Sequence, residues 1–362
     1  MEKEILEWIK ENNVPIVQVD TNRNYWLVRT NSGMYFQDFL LGDYIGINWN
    51  EFNDPEEFTD KNKDRTIEKI SKIYKDNKQP GHIFSHIKRF FHDMKIGDIV
   101  MIPSENSKHI AFGEIISDVY ISTKTQTEID EGDCPYEKRR NVKWLKTVHR
   151  KKLDPYLYRM MNSHLTISNA DDYADAIDRT MYSYYYKGDK AHLVLNINQQ
   201  NNIALIDLLD ALQAPLDLID YIQDPTNPDI KFDKRDLDVK LRIQSPGMIE
   251  FVSIGKAFSL VVLLGIVIVG LVGGSFKFNA SRERIEGEFS TEGLLEKILK
   301  FKKLDKTEVD EETVNRELND LKEKMKSSSK KLEIKTPEEL DVLTTKQLSI
   351  KFDEIDEDRK SV

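Results

Sequence analysis

The sequence predicts an α+β chain with a β-rich N-terminal domain, a small α/β domain, one transmembrane helix and a charged helical or disordered tail. Three observations predict it. Short runs rich in β-branched and aromatic residues, such as "NYWLVRT" and "YIGINW", are separated by the turn signals "NSG" and "GD". Runs of helical spacing lie between them, as in "KDRTIEKISKIYKDN". From Phe258 to Phe276 no side chain is charged, although 32% of the chain is.

Taken in order, residues 1–22 form an amphipathic helix with Ile5, Leu6 and Ile9 on one face, followed by a turn. Residues 23–167 form the first domain. Within it "PGHIFSHIKRFFHDM" starts with Pro80, suited to a first helical turn, and spaces Ile83, Ile87, Phe90 and Phe91 helically. "GDIVMIPS", "HIAFGEIISDVYIS" and "RRNVKWLKTVH" return to strand character. Residues 168–254 form the small α/β domain. "DDYADAIDRTMYSYYY" is expected as a helix and "AHLVLNIN" as a strand. "IALIDLLDALQAPLDLIDYI" is expected as a helix bent or broken near Pro215. "DLDVKLRIQSPGMIEFV" then puts Leu237, Val239, Leu241 and Ile243 on one strand face, turns at Ser245-Pro246-Gly247 and resumes extended. In the tail, 279–362, the helical patterns "TEGLLEKILKFKKL" and "TVNRELNDLKEKM" are interrupted by "KSSSKKLEIKTPEEL", giving short solvated helices with disordered joints.

The segment 255–278 is expected to cross a membrane. Ala257 to Phe276 would span about 30 Å as a helix, the thickness of the hydrocarbon core. Lys256 and Lys277 stand where long amines reach the headgroups. Phe258 and Leu264 would face lipid, and Gly270 with Gly274 makes a small-xxx-small pair through which spans self-associate into a homo-oligomer. The alternatives are a buried segment of a soluble domain and a re-entrant hairpin at Gly265 or Gly270. Flanking Lys and Arg are balanced, so charge does not orient the span. The N-terminus "MEKEILEWIKENN" has no apolar signal region, and the lone Cys134 offers no disulfide. Both favour a cell-membrane, single-pass protein whose N-terminal domain is cytoplasmic.

The net charge of -10 argues against duplex binding by general phosphate neutralisation but leaves room for a local basic cleft. The order of motifs in the first domain is informative. "YWLVRTNSGMYFQDFLLGDYIGINWNEF" is followed by "RFFHDMKIGDIVMIP", "IAFGEI" and "KRRNVKWL". This set resembles the PUA/EVE-like N-terminal module of bacterial Mrr-related restriction and anti-phage defence proteins. The resemblance covers residues 23–167. It implies a small β-barrel that binds nucleic acid, in some relatives by flipping a modified base into an aromatic-lined pocket.

A flipped base needs flat rings to replace lost stacking and polar groups to read its edge. On that reading Trp26, Tyr35, Trp49 and Trp144 are the candidate rings, with Trp49 and Trp144 favoured because they lie at strand ends. Arg29, Asp38, Asn48 and Arg140 are the candidate polar contacts, and Lys88, Arg89, Lys138 and Arg139 the candidate phosphate contacts. For each there is a plainer role: core packing for the tryptophans, an Arg29–Asp38 pair, a solvated surface for the basic run.

Catalytic patterns are weak. Asp236, Asp238 and Lys240 in "DLDVKLR" superficially suit a Mg²⁺ nuclease core, but the framework around them is short. His82 and His86 have zinc-compatible spacing without a third ligand pattern. Cys134 sits among acids, which disfavour a thiolate. No phosphate-binding glycine loop or serine elbow occurs. The expectation is therefore a membrane-anchored bacterial sensor of a nucleic-acid or nucleotide feature, in an anti-phage setting by analogy. It has no cofactor and no assigned enzyme activity, and its partners are a nucleic acid or nucleotide, the lipid bilayer and copies of itself. A membrane-tethered scaffold is the alternative, and a restriction-type nuclease a more distant one.

Overall fold

A computed structural model of the chain describes residues 2–130, 132–243, 247–272, 276–280, 285–289, 292–299 and 311–335. The chain divides into two compact units. One joins Met1–Thr21 to Tyr182–Leu340, and the other holds Asn22–Met181. The N-terminal helix α1 (Glu2–Glu11) and strand β1 (Val17–Val19) thus belong with the C-terminal half of the chain.

The unit 22–181 is built on a seven-stranded sheet. Its strands are β2 (Tyr25–Val28), β3 (Tyr44–Ile47), β4 (Ile99–Pro103), β5 (His109–Ile115), β6 (Tyr120–Ile121), β7 (Lys138–His149) and β8 (Ile167–Asn169). The order is β3-β7-β5-β4-β2-β8, with β6 also on β7. β7 is 12 residues long and pairs β3, β5 and β6, so it is the spine of the sheet. Among the described residues nothing pairs β3 with β8. The sheet is an open half-barrel, which corrects the expected closed barrel.

Helices α2 (Phe36–Leu41), α3 (Lys63–Ile73) and α4 (Pro80–Lys88) cover its apolar face. Phe39, Phe58, Ile70, Ile83, Ile87 and Phe90 are buried there against Ile45, Val100 and Val142. α4 continues into a wide π-type turn at Arg89–Asp93. Short helices α5 (Gln126–Asp130), α6 (Tyr158–Met161) and α7 (Ala174–Met181) complete the unit.

The second unit is a mixed sheet with helices on one face. Strands β9 (Tyr184–Lys187), β10 (Lys190–Ile197), β11 (Asp238–Arg242) and β12 (Gly247–Ile254) run in the order β1-β9-β10-β12-β11. Helix α8 (Leu205–Leu218) continues unbroken through Pro215. The segment 182–186, expected as the end of a helix, is instead the approach to strand β9 and most of that strand.

The greasy run is helix α9 (Phe258–Val272). It is 15 residues, about 22 Å, against the ~30 Å of a hydrocarbon core. Among the described residues no helix is long and apolar enough to cross a membrane. The expected transmembrane helix, the membrane roles of Phe258, Leu264 and Gly270, and the single-pass cell-membrane placement are corrected on that ground. α9 is apolar all round because it is enclosed all round. β10 and β12 lie on one side of it, and α8 and α1 pack elsewhere on its surface. Two further helices, α10 (Glu292–Ile298) and α11 (Glu311–Lys331), complete the cover.

Its glycines serve this packing. A Cβ on Gly265 would lie 2.7 Å from the Tyr184 ring, and one on Gly270 would lie 2.8 Å from Leu295. They admit a strand residue and a neighbouring helix of the same chain. Gly274 lies outside the described residues. Further along, the chain forms a two-stranded ribbon, β13 (Phe276–Ala280) with β14 (Ile285–Phe289). The solvated tail is corrected in part. α11 runs through the serines expected to interrupt it and buries Leu321 and Met325, and Leu332 follows into the core. A short strand β15 (Ile334–Lys335) then pairs β10.

Candidate functional site

The expected site residues do not converge on one cage. Trp26 is 4% exposed and its indole N–H donates to Asp98 at 2.8 Å. Trp144 is 5% exposed and donates to the Phe39 carbonyl at 3.1 Å. Both are core residues whose one polar atom is satisfied internally, as buried tryptophans require. Tyr35 is half-buried, edge-on to Tyr136 at 4.9 Å. Asp38 accepts from the Cys134 backbone N–H, and Asn48 is exposed. Cys134 itself is buried, and burial pushes its thiol up to about 11.

The basic run 138–140 points inward. Lys138 is 0% exposed, and its ammonium donates to the Trp49 carbonyl at 2.7 Å and to Asn53 at 3.1 Å. Burial pushes it down to about 8, against the pull of Glu137 and Glu51. Arg139 donates to the carbonyls of Tyr136 and Cys134 and lies 4.1 Å over the Tyr44 ring. Arg140, 2% exposed, donates to the carbonyls of Phe90, Phe91 and Ser117. Two of these acceptors lie in the π-type turn, where a wide helix leaves carbonyls without the usual i→i+4 donor.

Other predicted cations are also engaged. Arg29 donates to the carbonyls of Ser163 and Met161. Lys88 pairs with Asp60 at 2.6 Å, and Arg89 donates to the Ile167 carbonyl at 2.9 Å. Asp38 and Arg29 do not form the pair expected of them.

Trp49 is different. It follows β3 with φ 68, the left-handed region that is rare for a bulky residue and costs about 1–3 kcal/mol. Its carbonyl accepts from Lys138 and from the Phe52 N–H, which holds it in that conformation. The ring is half-buried and lies parallel to the His86 imidazole, 3° apart in plane with centroids at 6.0 Å. His86 Nδ1 accepts from the Ile167 N–H at 3.3 Å. A neutral ring that accepts at Nδ1 carries its proton on Nε2. Burial, then Arg89 and His82, push His86 down to about 4, so it is neutral at physiological pH. Among the described residues Nε2 meets no acceptor. Trp49 and His86 therefore combine a flat aromatic face with one fixed N–H donor. The helical spacing of His86 to His82 suits a helix-surface histidine or a zinc ligand and carries no sign of a stacked tryptophan.

The nuclease-like acids do not form a metal site. Asp236 closes a capping box with Asp233, while Asp238 and Lys240 lie on strand β11. Among the described residues no group of three His, Cys, Asp or Glu is arranged to hold a metal ion. A surface cleft of about 460 Å³ near α7 is lined by Tyr156, Asp171, Asp172, Asp175 and Arg179. Its acids repel phosphate, and its arginine is taken by Asp154 at 2.7 Å.

Residues 24–169 match a family model described as a domain of unknown function (DUF8426). No curated protein matches the chain. Among solved structures, protein Atu2648 from Agrobacterium tumefaciens is similar over 42% of this chain and 91% of its own, at 13% identity and a TM-score of 0.19. A likeness at that score bears on neither fold nor function.

Proposed function

We propose that the unit 22–181 is a binding module for a nucleic-acid or nucleotide feature and that Trp49 with His86 reads the base. The observation that carries this is the strained, half-buried Trp49 ring held parallel to a neutral His86. Strain at a bulky residue persists where the surroundings over-determine it, and it clusters at binding sites. A base brings a π-face for the indole and edge acceptors for an N–H donor. The ordered motifs that resemble PUA/EVE-like modules support the same class of ligand.

The test is calorimetric titration of the full chain with a panel of modified and unmodified DNA and RNA oligonucleotides and free nucleotides. At least one member binds the wild type. Trp49→Ala weakens that binding about tenfold or more, in line with about 1–3 kcal/mol per stacked base. Absence of binding across the panel, or wild-type affinity in Trp49→Ala, rejects the proposal.

A further inference from the structure

We infer that Lys108, Arg150, Lys151 and Lys152, gathered around His149, form the surface that grips the phosphate backbone of the nucleic acid. This rests on the function proposed above and moves the phosphate contacts away from Lys138 and Arg139.

Strand pairing builds the patch. His109 at the start of β5 stands opposite His149 at the end of β7, and their rings meet edge-on at 5.1 Å. The Arg150 N–H then donates to the Lys108 carbonyl at 2.8 Å. β7 ends in a tight 3₁₀ turn, Arg150–Lys152, capped by His149 Nδ1, which accepts from the Lys151 N–H at 3.1 Å. Arg150 lies 5.1 Å over the Tyr158 ring, and the Tyr158 hydroxyl donates to the Arg150 carbonyl at 2.9 Å. Four cations are thereby tied to two adjacent strand ends.

The patch gathers uncompensated cations at one place, whereas several other cations of the same unit are paired. Lys72, Lys88, Lys124, Arg23 and Arg179 each pair with a carboxylate. Among the described residues Lys108, Arg150, Lys151 and Lys152 pair with none. The flanking acids in sequence are Glu105 and Asp154, and Asp154 is taken by Arg179. From 143 to 153 the chain reads "KWLKTVHRKKL", five cations and no acid. Positive potential converges there. Burial, and then Lys108, Lys151 and Lys152, lower the affinity of His149 for a proton. In a chain of net charge -10 such an island attracts a polyanion locally. Lysines supply point charges and the stacked guanidinium a fork of donors, the combination that phosphate oxygens accept.

The test is fluorescence anisotropy of a labelled single-stranded DNA oligonucleotide and its duplex with the full chain over a salt series. Each lysine–phosphate contact contributes about 0.7–0.9 to the slope of log affinity against log salt. The double variant Lys151→Ala/Lys152→Ala loses about 1.4–1.8 from that slope. The control Lys61→Ala/Lys72→Ala, at exposed positions elsewhere in the unit, keeps the wild-type slope. Trp49→Ala loses affinity with the slope unchanged. A wild-type slope in Lys151→Ala/Lys152→Ala overturns the patch and leaves the proposed function standing. No salt-dependent binding by the wild type also overturns the patch, whereas the proposed function falls only if the whole panel of DNA, RNA and nucleotides fails to bind.

Discussion

Two triplets of cations bracket strand β7, Lys138–Arg140 at its start and Arg150–Lys152 at its end. As sequence they are nearly interchangeable. In the structure the first is buried and donates mainly to main-chain carbonyls, while Lys151 and Lys152 of the second are exposed. The difference lies in what surrounds each run. The start of β7 is flanked by β3, β6 and the π-type turn, whose carbonyls need donors. Among the described residues the end of β7 pairs with β5, and Arg150, Lys151 and Lys152 in its turn pair with no carboxylate. A basic run is therefore not itself a phosphate site; it becomes one where the fold offers no internal acceptor.

The sharpest way to break this comparison is to remove one inward cation. Arg140→Ala leaves three carbonyls without their donor in a buried place and should cost about 4.5 kcal/mol or more, taking charge-assisted hydrogen bonds at about 1.5–3 kcal/mol each. Denaturant unfolding of the full chain measures it.

Acid gives the next effect. His86 and His109 both bind protons less readily than free histidine, near about 4, chiefly through burial. The unfolded chain takes up those protons first as pH falls below the ordinary 6.5. Stability is thus complete above that value and is lost between it and about pH 4. His86→Gln should flatten part of this loss when unfolding midpoints near about pH 7 and about pH 5 are compared.

Trp49→Gly should change stability by no more than about 1 kcal/mol, because relief of the left-handed strain offsets the lost stacking. Trp144→Ala, by contrast, should cost about 3–5 kcal/mol, since it empties a core site. The smallest stability change belongs to the outward triplet. Lys151→Ala/Lys152→Ala should stay within about 0.5 kcal/mol of the wild type by the same unfolding measurement, as exposed substitutions do.

Local patterns disclosed much of the secondary structure. The spacing of Ile67, Ile70 and Ile73 marks α3, Pro80 opens α4, and the alternation around Trp144 marks β7. What failed depends on partners distant in sequence. A helix apolar on every side is either a membrane span or a fully enclosed core helix, and composition cannot separate them. The enclosing elements of α9 come from residues 2–11, 190–197, 205–218, 247–254, 292–298 and 311–331. Reading the last of these as a solvated tail removed α9's cover and left lipid as the apparent alternative. The run also gained length because Phe276, in strand β13, was counted with a helix that ends at Val272. For the site, indole type alone could not separate Trp49 from Trp26 and Trp144. Asp98 and the Phe39 carbonyl, which satisfy those two inside the core, are brought to them only by the fold.

The central claim, that Trp49 stacks on a bound base, is tested most directly by tryptophan fluorescence of the full chain during titration with the oligonucleotide. Trp8 and Trp49 are the two half-exposed indoles of the four, so Trp8→Phe and Trp49→Phe form the informative pair. Quenching that persists in Trp8→Phe and is lost in Trp49→Phe is the predicted result. Wild-type quenching in Trp49→Phe would contradict it.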